Sequence, residues 1–214
     1  MKIVASLTDV AQAAAARDQG ADLLELRLDL IEGDAVAQAA LCKKTADLPV
    51  IATLRSAQEG GRYFGTADEW LARMMPVIPF VDYVDVELRF RKLADAIKEQ
   101  KKTIIASYHT REMPPLFELF GYERDLRTFG DIVKIVVTPH DVEDVLSLVT
   151  FTHTAQRPIC TGVMGNTFRY CRAILPFFGS ELVYCHAGTA TAEGQYSVGE
   201  FVRLMHLLAE RQGR

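Results

Sequence analysis

The stretch Asp131-Ile132-Val133-Lys134-Ile135-Val136-Val137 is a continuous apolar run with one lysine at its centre. Such a run is typical of a parallel strand that is buried on both faces. An amine in this position lies in a low-dielectric environment, which favours its neutral and nucleophilic form. The structural alternative is a lysine that reaches water with its ammonium group or pairs with an acid such as Asp131. The rest of the chain bears on this choice.

Seven further apolar runs alternate with segments of helical periodicity, which is the pattern of consecutive parallel βα units. Strands are predicted at residues 2–6, 22–28, 49–54, 82–87, 103–107, 132–137, 157–161 and 181–185. Helices are predicted at residues 10–19, 34–46, 67–76, 90–101, 116–128, 141–154, 170–178 and 198–211. Eight βα units predict an α/β fold, a TIM (β/α)8 barrel. A doubly wound open sheet is disfavoured because no Gly-x-Gly-x-x-Gly follows the first strand.

Composition limits the classes of function. The chain has 214 residues, 49% hydrophobic content and a formal net charge of -4, so we expect a single catalytic domain over residues 1–214. No basic block is present to bind nucleic acid or an anionic membrane. No signal peptide and no apolar stretch of 18 residues is found, which predicts a cytoplasmic protein. Four cysteines without CxxC spacing predict free thiols rather than disulfides or a zinc site: Cys42, Cys160, Cys171 and Cys185.

Charged residues lie at the carboxyl ends of several predicted strands, where TIM barrels build their active sites. Glu25, Arg27 and Asp29 share one face of the second strand by period-two alternation. Three charges facing one interior are costly unless they are paired. A structural ion-pair network that includes Glu25, Arg27 and Glu87 is therefore an alternative to a binding site.

Arg55 and His109 follow the third and fifth strands. Arg55 has a structural alternative, a surface pair with Glu59. His109 lies where a strand opens into a Pro-rich loop, a common place for a functional histidine. A lysine inside a strand, a histidine at a neighbouring strand end and several arginines together suggest Schiff-base chemistry on a carboxylated carbonyl compound.

An ordered set of motifs extends over nearly the whole chain. It comprises Ser6, Glu25-Leu-Arg27-Leu-Asp29, Thr53-x-Arg55-x-x-x-Glu59-Gly-Gly, Asp85-Val-Glu87, Ser107-Tyr-His109, Val133-Lys134-Ile135, Met164-Gly165 leading to Arg172, Gly179-Ser180 and Gly194-Gln195. With these motifs the chain resembles the type I 3-dehydroquinate dehydratases, the Schiff-base TIM barrels of the shikimate pathway. The resemblance implies a hydro-lyase that converts 3-dehydroquinate to 3-dehydroshikimate for chorismate and aromatic amino acid biosynthesis.

The same resemblance implies roles for individual residues. Lys134 would form the Schiff base, His109 would act as general acid and base, and Glu59 would orient His109. The implied substrate-binding residues are Ser6, Glu25, Arg27, Arg55, Arg172, Thr191 and Gln195, with Arg172 as the clamp for the substrate carboxylate. The loop from His186 to Gln195 would be the lid. We expect no cofactor and no metal, and the resemblance suggests a homodimer.

Three residues depart from the family pattern. Phe168 stands where the family usually has glycine and Cys171 where it has serine, which affects the turn before Arg172 and makes Arg169 the less suitable clamp. Glu193 replaces the usual proline of the lid. We expect the looser backbone and the added negative charge at Glu193 to weaken substrate binding or to change how the lid closes.

Two other classes of function remain open from the sequence. A different Schiff-base lyase or aldolase would share Lys134 but need another acceptor pocket. A non-catalytic barrel that binds small anions would keep the arginines without an activated lysine. Metal-dependent hydrolysis through His109, Asp85 and Glu87 is a minor further option.

Overall fold

The computed structural model describes residues 1–209 and contains eight parallel strands in one sheet. The strands are β1 (Lys2–Leu7), β2 (Leu23–Arg27), β3 (Val50–Thr53), β4 (Tyr83–Glu87), β5 (Thr103–His109), β6 (Ile132–Val137), β7 (Ile159–Val163) and β8 (Leu182–His186). Their order is β7-β6-β5-β4-β3-β2-β1-β8. Sequential neighbours with β8 returning to β1 form a nearly closed barrel, which confirms the predicted fold.

Helices connect the strands on the outside of the barrel. They are α1 (Ala13–Asp18), α2 (Ala35–Ala46), α3 (Ala67–Met74), α4 (Ala94–Lys98), α5 (Leu116–Arg127), α6 (Val142–Thr154), α7 (Cys171–Ile174) and α8 (Val198–Ala209). Short 3-10 segments precede α1 and α4 and follow α7; the one before α4 begins at Leu88, two residues before the predicted helix, and the other two lie within ranges predicted as single helices. The predicted end of the last helix, Arg211, lies outside the described residues.

Alternation along the strands separates two apolar clusters. The larger cluster lies between the sheet and the helices and includes Trp70 and Phe201. The smaller cluster fills the barrel interior with Val4, Leu23, Ile51, Ile105, Cys160 and Leu182, one residue from each of six strands. Polar residues two positions further along these strands, such as Ser6 and Glu25, therefore lie above an apolar floor, on the side of the carboxyl ends.

One placement within a strand was wrong. Asp29 was expected on the second strand, but β2 ends at Arg27 and Asp29 lies in the following turn. Asp29 still reaches Arg27, because its two carboxylate oxygens accept hydrogen bonds from Nε and Nη2 at 2.9 and 2.7 Å. The backbone N–H groups of Arg55 and Arg62 also donate to Asp29, which ties the β2 turn to the β3 loop.

Candidate active site

A cavity of about 130 Å³ opens at the carboxyl ends of the strands. Its lining includes every residue to which the family resemblance assigns a role in catalysis or binding: Ser6, Glu25, Arg27, Arg55, Glu59, His109, Lys134, Arg172, Thr191 and Gln195. The topology thus brings together residues that are up to 189 positions apart in the chain, as in the contact of Ser6 with Gln195.

Lys134 lies on β6 between Ser107 of β5 and Cys160 of β7 and is 4% exposed. Its Nζ donates a hydrogen bond to Asp85 Oδ2 at 3.2 Å and lies 4.0 Å from Glu25 Oε1. The aromatic ring of Tyr184 covers the amine, with Nζ 3.7 Å from the ring centroid. The lysine therefore neither reaches bulk water nor pairs with the acid considered from the sequence.

Asp131, the acid considered as a partner of Lys134 from the sequence, makes a structural hydrogen bond elsewhere. Its Oδ2 accepts a hydrogen bond from the backbone N–H of Ile104 at 2.7 Å, where β5 begins. Because Asp131 precedes β6, it lies at the amino end of the barrel, and Lys134 reaches toward the carboxyl end. The structural alternative of an Asp131–Lys134 pair is thus wrong.

Arg55 is the centre of a buried ion-pair network. Its Nη2 donates to Asp85 at 2.9 Å, and its Nη1 lies 3.1 Å from Glu87 and 3.3 Å from Glu59. The proposed surface pair with Glu59 exists, but it is buried, with 5% and 8% of the two side chains exposed. A buried ion pair needs several hydrogen bonds to offset desolvation, and Arg55 makes a further one to Ser107.

This network sets the charge state of the carboxyl next to the lysine. Burial opposes ionisation of Asp85, but Arg55 and Lys134 outweigh it and lower the pKa of Asp85 below 3.8. Burial disfavours the charged form of Arg55, yet the carboxylates around it, Asp85 first, raise its pKa. The two groups therefore stay charged at neutral pH, and Asp85 can hold a cation at Nζ.

The loop that carries Arg55 is fixed from behind by an aromatic pair. Trp70 is fully buried, stacks on Phe90 at 5.2 Å and donates its indole N–H to the carbonyl of Leu54 at 3.1 Å. The helix that holds Trp70 begins with a capping box between Thr66 and Glu69. Capping, packing and a buried hydrogen bond thus fix the backbone of β3 where it enters the site.

His109 and Glu59 form a second pair at the rim of the cavity. His109 Nδ1 lies 2.8 Å from Glu59 Oε2, and the same oxygen accepts the backbone N–H of His109 at 3.0 Å. Burial, with Arg55 and Lys134 nearby, lowers the pKa of His109 well below 6.5. Burial also raises the pKa of Glu59 to about 8, against the influence of Arg55. The geometry gives His109 one fixed ring nitrogen and leaves Nε2 for chemistry.

Glu25 organises a shell of hydroxyl groups. Ser6 donates to Glu25 Oε2 at 2.5 Å, and Thr53 donates to Oε1 at 2.8 Å. Gln195 reaches the same serine, with Nε2 3.4 Å from Ser6 Oγ, and its Oε1 accepts from both the backbone and the hydroxyl of Thr191. The loop from His186 to Gln195 is thereby connected to β1 and β2 by hydrogen bonds.

Arg172 has no carboxylate within 4.0 Å among residues 1–209, which distinguishes it from Arg27 and Arg55. Its Nη2 donates to the carbonyl of Glu193 at 3.3 Å, and its buried Nε has no hydrogen-bond partner. Burial lowers the pKa of Arg172 below the ordinary value of a guanidinium. A half-buried guanidinium with free donors in a cavity is suited to bind an anion.

Arg169, the alternative clamp, does not line the cavity. Its guanidinium carbon lies 4.1 Å from the ring centroid of Tyr196. Phe168 packs against the apolar core and against the ring of Tyr170, and Cys171 is buried at the start of α7. The two departures from the family pattern therefore leave Arg172 directed into the cavity.

The loop from His186 to Gln195, expected from the resemblance to be the lid, is joined to the loop after β7. Glu193 Oε1 accepts a hydrogen bond from Asn166 Nδ2 at 2.7 Å, and both residues are exposed. Gly194 has a φ of +74° and lies so close to Gly165 that a Cβ would come within 2.3 Å of the Gly165 carbonyl oxygen. The backbone at Gly194 thus approaches the loop after β7 more closely than any residue with a side chain would permit.

Two residues of the site were not assigned a role from the sequence. Asp85 was noted only in a motif and as a metal ligand, and Tyr184 was not noted at all. Asp85 lies on β4 and Tyr184 on β8, and both face the barrel interior. Because alternate residues of a strand face the interior, the period-two pattern of each strand could have identified them. Across the described chain no group of three His, Cys, Asp or Glu residues, including His109, Asp85 and Glu87, has the geometry of a metal site.

Two further sequence predictions concern cysteines and membranes. All four cysteines are free and buried. Within residues 1–209 no helix is both long enough and apolar enough to cross a membrane.

Comparison with known proteins places this geometry in a family. The sequence model of the type I 3-dehydroquinase family matches residues 3–212. The 3-dehydroquinate dehydratase of Methanoregula boonei is 59% identical over 98% of this chain and 100% of its own. The crystal structure of 3-dehydroquinate dehydratase from Geobacillus kaustophilus superposes with a TM-score of 0.91 at 25% identity, over 100% of this chain and 92% of the other. That from Aquifex aeolicus gives a TM-score of 0.85 at 29% identity, over 97% and 98%.

Proposed function

The chain belongs to the type I 3-dehydroquinase family, and we propose that it dehydrates 3-dehydroquinate to 3-dehydroshikimate through a Schiff base on Lys134. Membership in this family makes it a lyase. The observation that carries the mechanism is one buried amine, Lys134 Nζ, that lines the cavity and donates a hydrogen bond to Asp85.

Lys134 would begin the reaction as a nucleophile. The neutral amine attacks the C3 ketone carbon, the C–N bond forms, and the carbonyl oxygen leaves as water after protonation, which produces an iminium. Asp85, 3.2 Å from Nζ and ionised at neutral pH, would balance the iminium charge. The positively charged nitrogen withdraws electrons and acidifies the hydrogens at C2.

His109 would then act as general base and general acid in succession. Nε2 takes a C2 proton to form a neutral enamine, and the electron pair expels the C1 hydroxyl as His109 returns the proton, so that one water leaves. Hydrolysis of the conjugated imine releases the product and regenerates the amine. Glu59 would hold the ring through Nδ1 at 2.8 Å, which keeps Nε2 directed at the substrate.

Arg172 would clamp the substrate carboxylate. It is the cavity arginine without an acidic partner in the described residues, and a guanidinium offers two parallel N–H donors to a carboxylate. Glu25, Arg27 and Arg55 would contact the ring hydroxyls. Ser6, Thr191 and Gln195 would complete the polar shell as the lid closes and excludes water.

The experiment that tests the mechanism is intact mass after mixing the protein with 3-dehydroquinate and sodium borohydride. Reduction converts the imine into a stable secondary amine, so the wild type should gain the mass of one reduced product adduct. Lys134→Ala should gain none. Lys43→Ala removes an exposed lysine that pairs with Asp82 and should be labelled like the wild type.

Other outcomes would point to the other classes. An unlabelled wild type that is folded would overturn the Schiff-base mechanism and favour an anion-binding barrel. Formation of the conjugated enone product is measured by its ultraviolet absorbance. An adduct without this absorbance would favour a different Schiff-base lyase or aldolase. Activity that is lost on dialysis against a chelator would contradict the proposed independence from metals.

Four wider properties are proposed with the reaction. A single domain over residues 1–214 is supported by the one sheet that contains all eight strands. A role in the shikimate pathway, and hence in aromatic amino acid biosynthesis, is supported by the relatives. A cytoplasmic location agrees with the metabolic reaction, and a homodimer is proposed from the family resemblance. Sedimentation velocity at micromolar concentration should give twice the chain mass of 23.8 kDa.

A further inference from the structure

The aromatic ring of Tyr184 lies directly over the amine of Lys134. The distance from Nζ to the ring centroid is 3.7 Å, within the range of about 6 Å over which a cation interacts with a ring face. Tyr184 comes from β8, which is separated from β6 by β7 in the barrel, and packs on the apolar floor of the barrel. The ring is thus held by the barrel wall rather than by the lid.

The hydroxyl of Tyr184 does not account for this placement. It is buried and has no hydrogen-bond partner in the described residues. Burial raises the pKa of Tyr184 well above 10, so the phenol stays protonated and can serve neither as a base nor as a counter-charge. A buried hydroxyl without a partner carries a desolvation cost, so what the residue offers at the amine is its ring.

We propose that the ring face of Tyr184 stabilises the iminium on Lys134 through a cation–π interaction. This inference rests on the proposed Schiff-base function. An ammonium has three N–H donors and can use several hydrogen-bond acceptors, whereas an iminium keeps one N–H. After the C–N bond forms, Asp85 can hold that one hydrogen, and the ring is the contact that needs no N–H donor.

The planar shape of the iminium favours the same contact. Its charge is spread over nitrogen and carbon, and a flat cation can lie against a ring face in a site from which water is excluded. The neutral enamine that follows gains less from the ring. Tyr184 should therefore affect the amount of covalent imine more than the binding of substrate.

The test is the rate of borohydride adduct formation in variants at position 184. Tyr184→Phe keeps the ring and removes the hydroxyl, so its trapping rate should stay within about twofold of the wild type. Tyr184→Leu removes the ring and should trap about 10- to 30-fold more slowly, with kcat reduced and KM little changed. Trapping at or near the wild-type rate in Tyr184→Leu would overturn the proposal.

A fluorinated series covers the case in which Tyr184→Leu does not fold. Phenylalanine, 4-fluoro-, 3,5-difluoro- and pentafluorophenylalanine at position 184 have similar shapes and a progressively weaker negative ring face. The logarithm of the trapping rate should fall in that order, and a flat series would overturn the proposal. Absence of any adduct in the wild type would instead overturn the Schiff-base function itself, so the two failures are distinguishable.

Discussion

At the scale of single residues, the shared hydrogen bond of His109 and Glu59 predicts the pH dependence. His109 can act as a base only when its Nε2 carries no proton. In that state Glu59 is ionised, and the single proton shared by the two side chains is on Nδ1 of His109. Below a pH of about 8 the His109–Glu59 pair holds a second proton, because burial raises the pKa of Glu59 to about 8. In the wild type, kcat/KM should therefore rise with pH through a midpoint near 8.

Glu59→Gln removes the group that retains the second proton. The remaining titration belongs to His109, whose pKa lies well below 6.5 because of burial and the cations Arg55 and Lys134, so the midpoint should move to more acidic pH. Glu118→Gln, at an exposed carboxylate of α5, should keep the wild-type profile. An unchanged midpoint in Glu59→Gln would show that another group controls the base.

At the scale of elements, the strands could be predicted closely and the helices less so. Each predicted strand boundary lies within two residues of the observed one, because apolar runs bounded by polar turns define buried parallel strands. The segments around α1, α4 and α7 are partly 3-10, since short surface connections with little capping tighten at their ends. Contacts between strands that are not direct neighbours, such as that of Lys134 on β6 with Tyr184 on β8, depend on register and barrel closure and were not predictable from one strand.

The lid gives a prediction at this scale. Glu193 was expected to loosen the lid, but its side chain accepts a hydrogen bond from Asn166 and its carbonyl accepts one from Arg172. Glu193→Ala removes the first bond and should raise KM about two- to fivefold with kcat little changed, because an exposed hydrogen bond contributes about 0.5–1 kcal/mol. Steady-state kinetics with 3-dehydroquinate measures the effect.

Two matched variants separate the hydrogen bond from backbone stiffness. Glu193→Gln keeps an acceptor for Asn166 without the charge and should resemble the wild type. Glu193→Pro also lacks the acceptor but stiffens the backbone, so its KM should lie below that of Glu193→Ala. Equal KM values in the wild type, Glu193→Ala and Glu193→Pro would show that this position has no part in lid closure.

At the scale of the whole molecule, the barrel depends on the seam between β7 and β8, the one pair of neighbouring strands in the described chain without a regular ladder. A side chain replaces part of the missing pairing. Ser180 Oγ accepts the backbone N–H of Thr161 at 3.0 Å and lies 3.2 Å from the carbonyl oxygen of Thr161. Cys160 Sγ and the backbone N–H of Glu181 make further contacts across the seam.

Ser180→Ala should therefore destabilise the entire fold. It leaves the buried N–H of Thr161 without an acceptor, which costs about 1–3 kcal/mol. The urea midpoint of Ser180→Ala should fall with an unchanged m-value. The control variant Thr150→Ala removes an exposed helix hydroxyl and should change the free energy of unfolding by less than about 0.5 kcal/mol. Because β7 and β8 carry Cys160 and Tyr184 into the cavity, Ser180→Ala should also lose activity at a lower temperature than the wild type. Equal urea midpoints in Ser180→Ala and the wild type would mean that the helices, rather than this serine, hold the barrel closed.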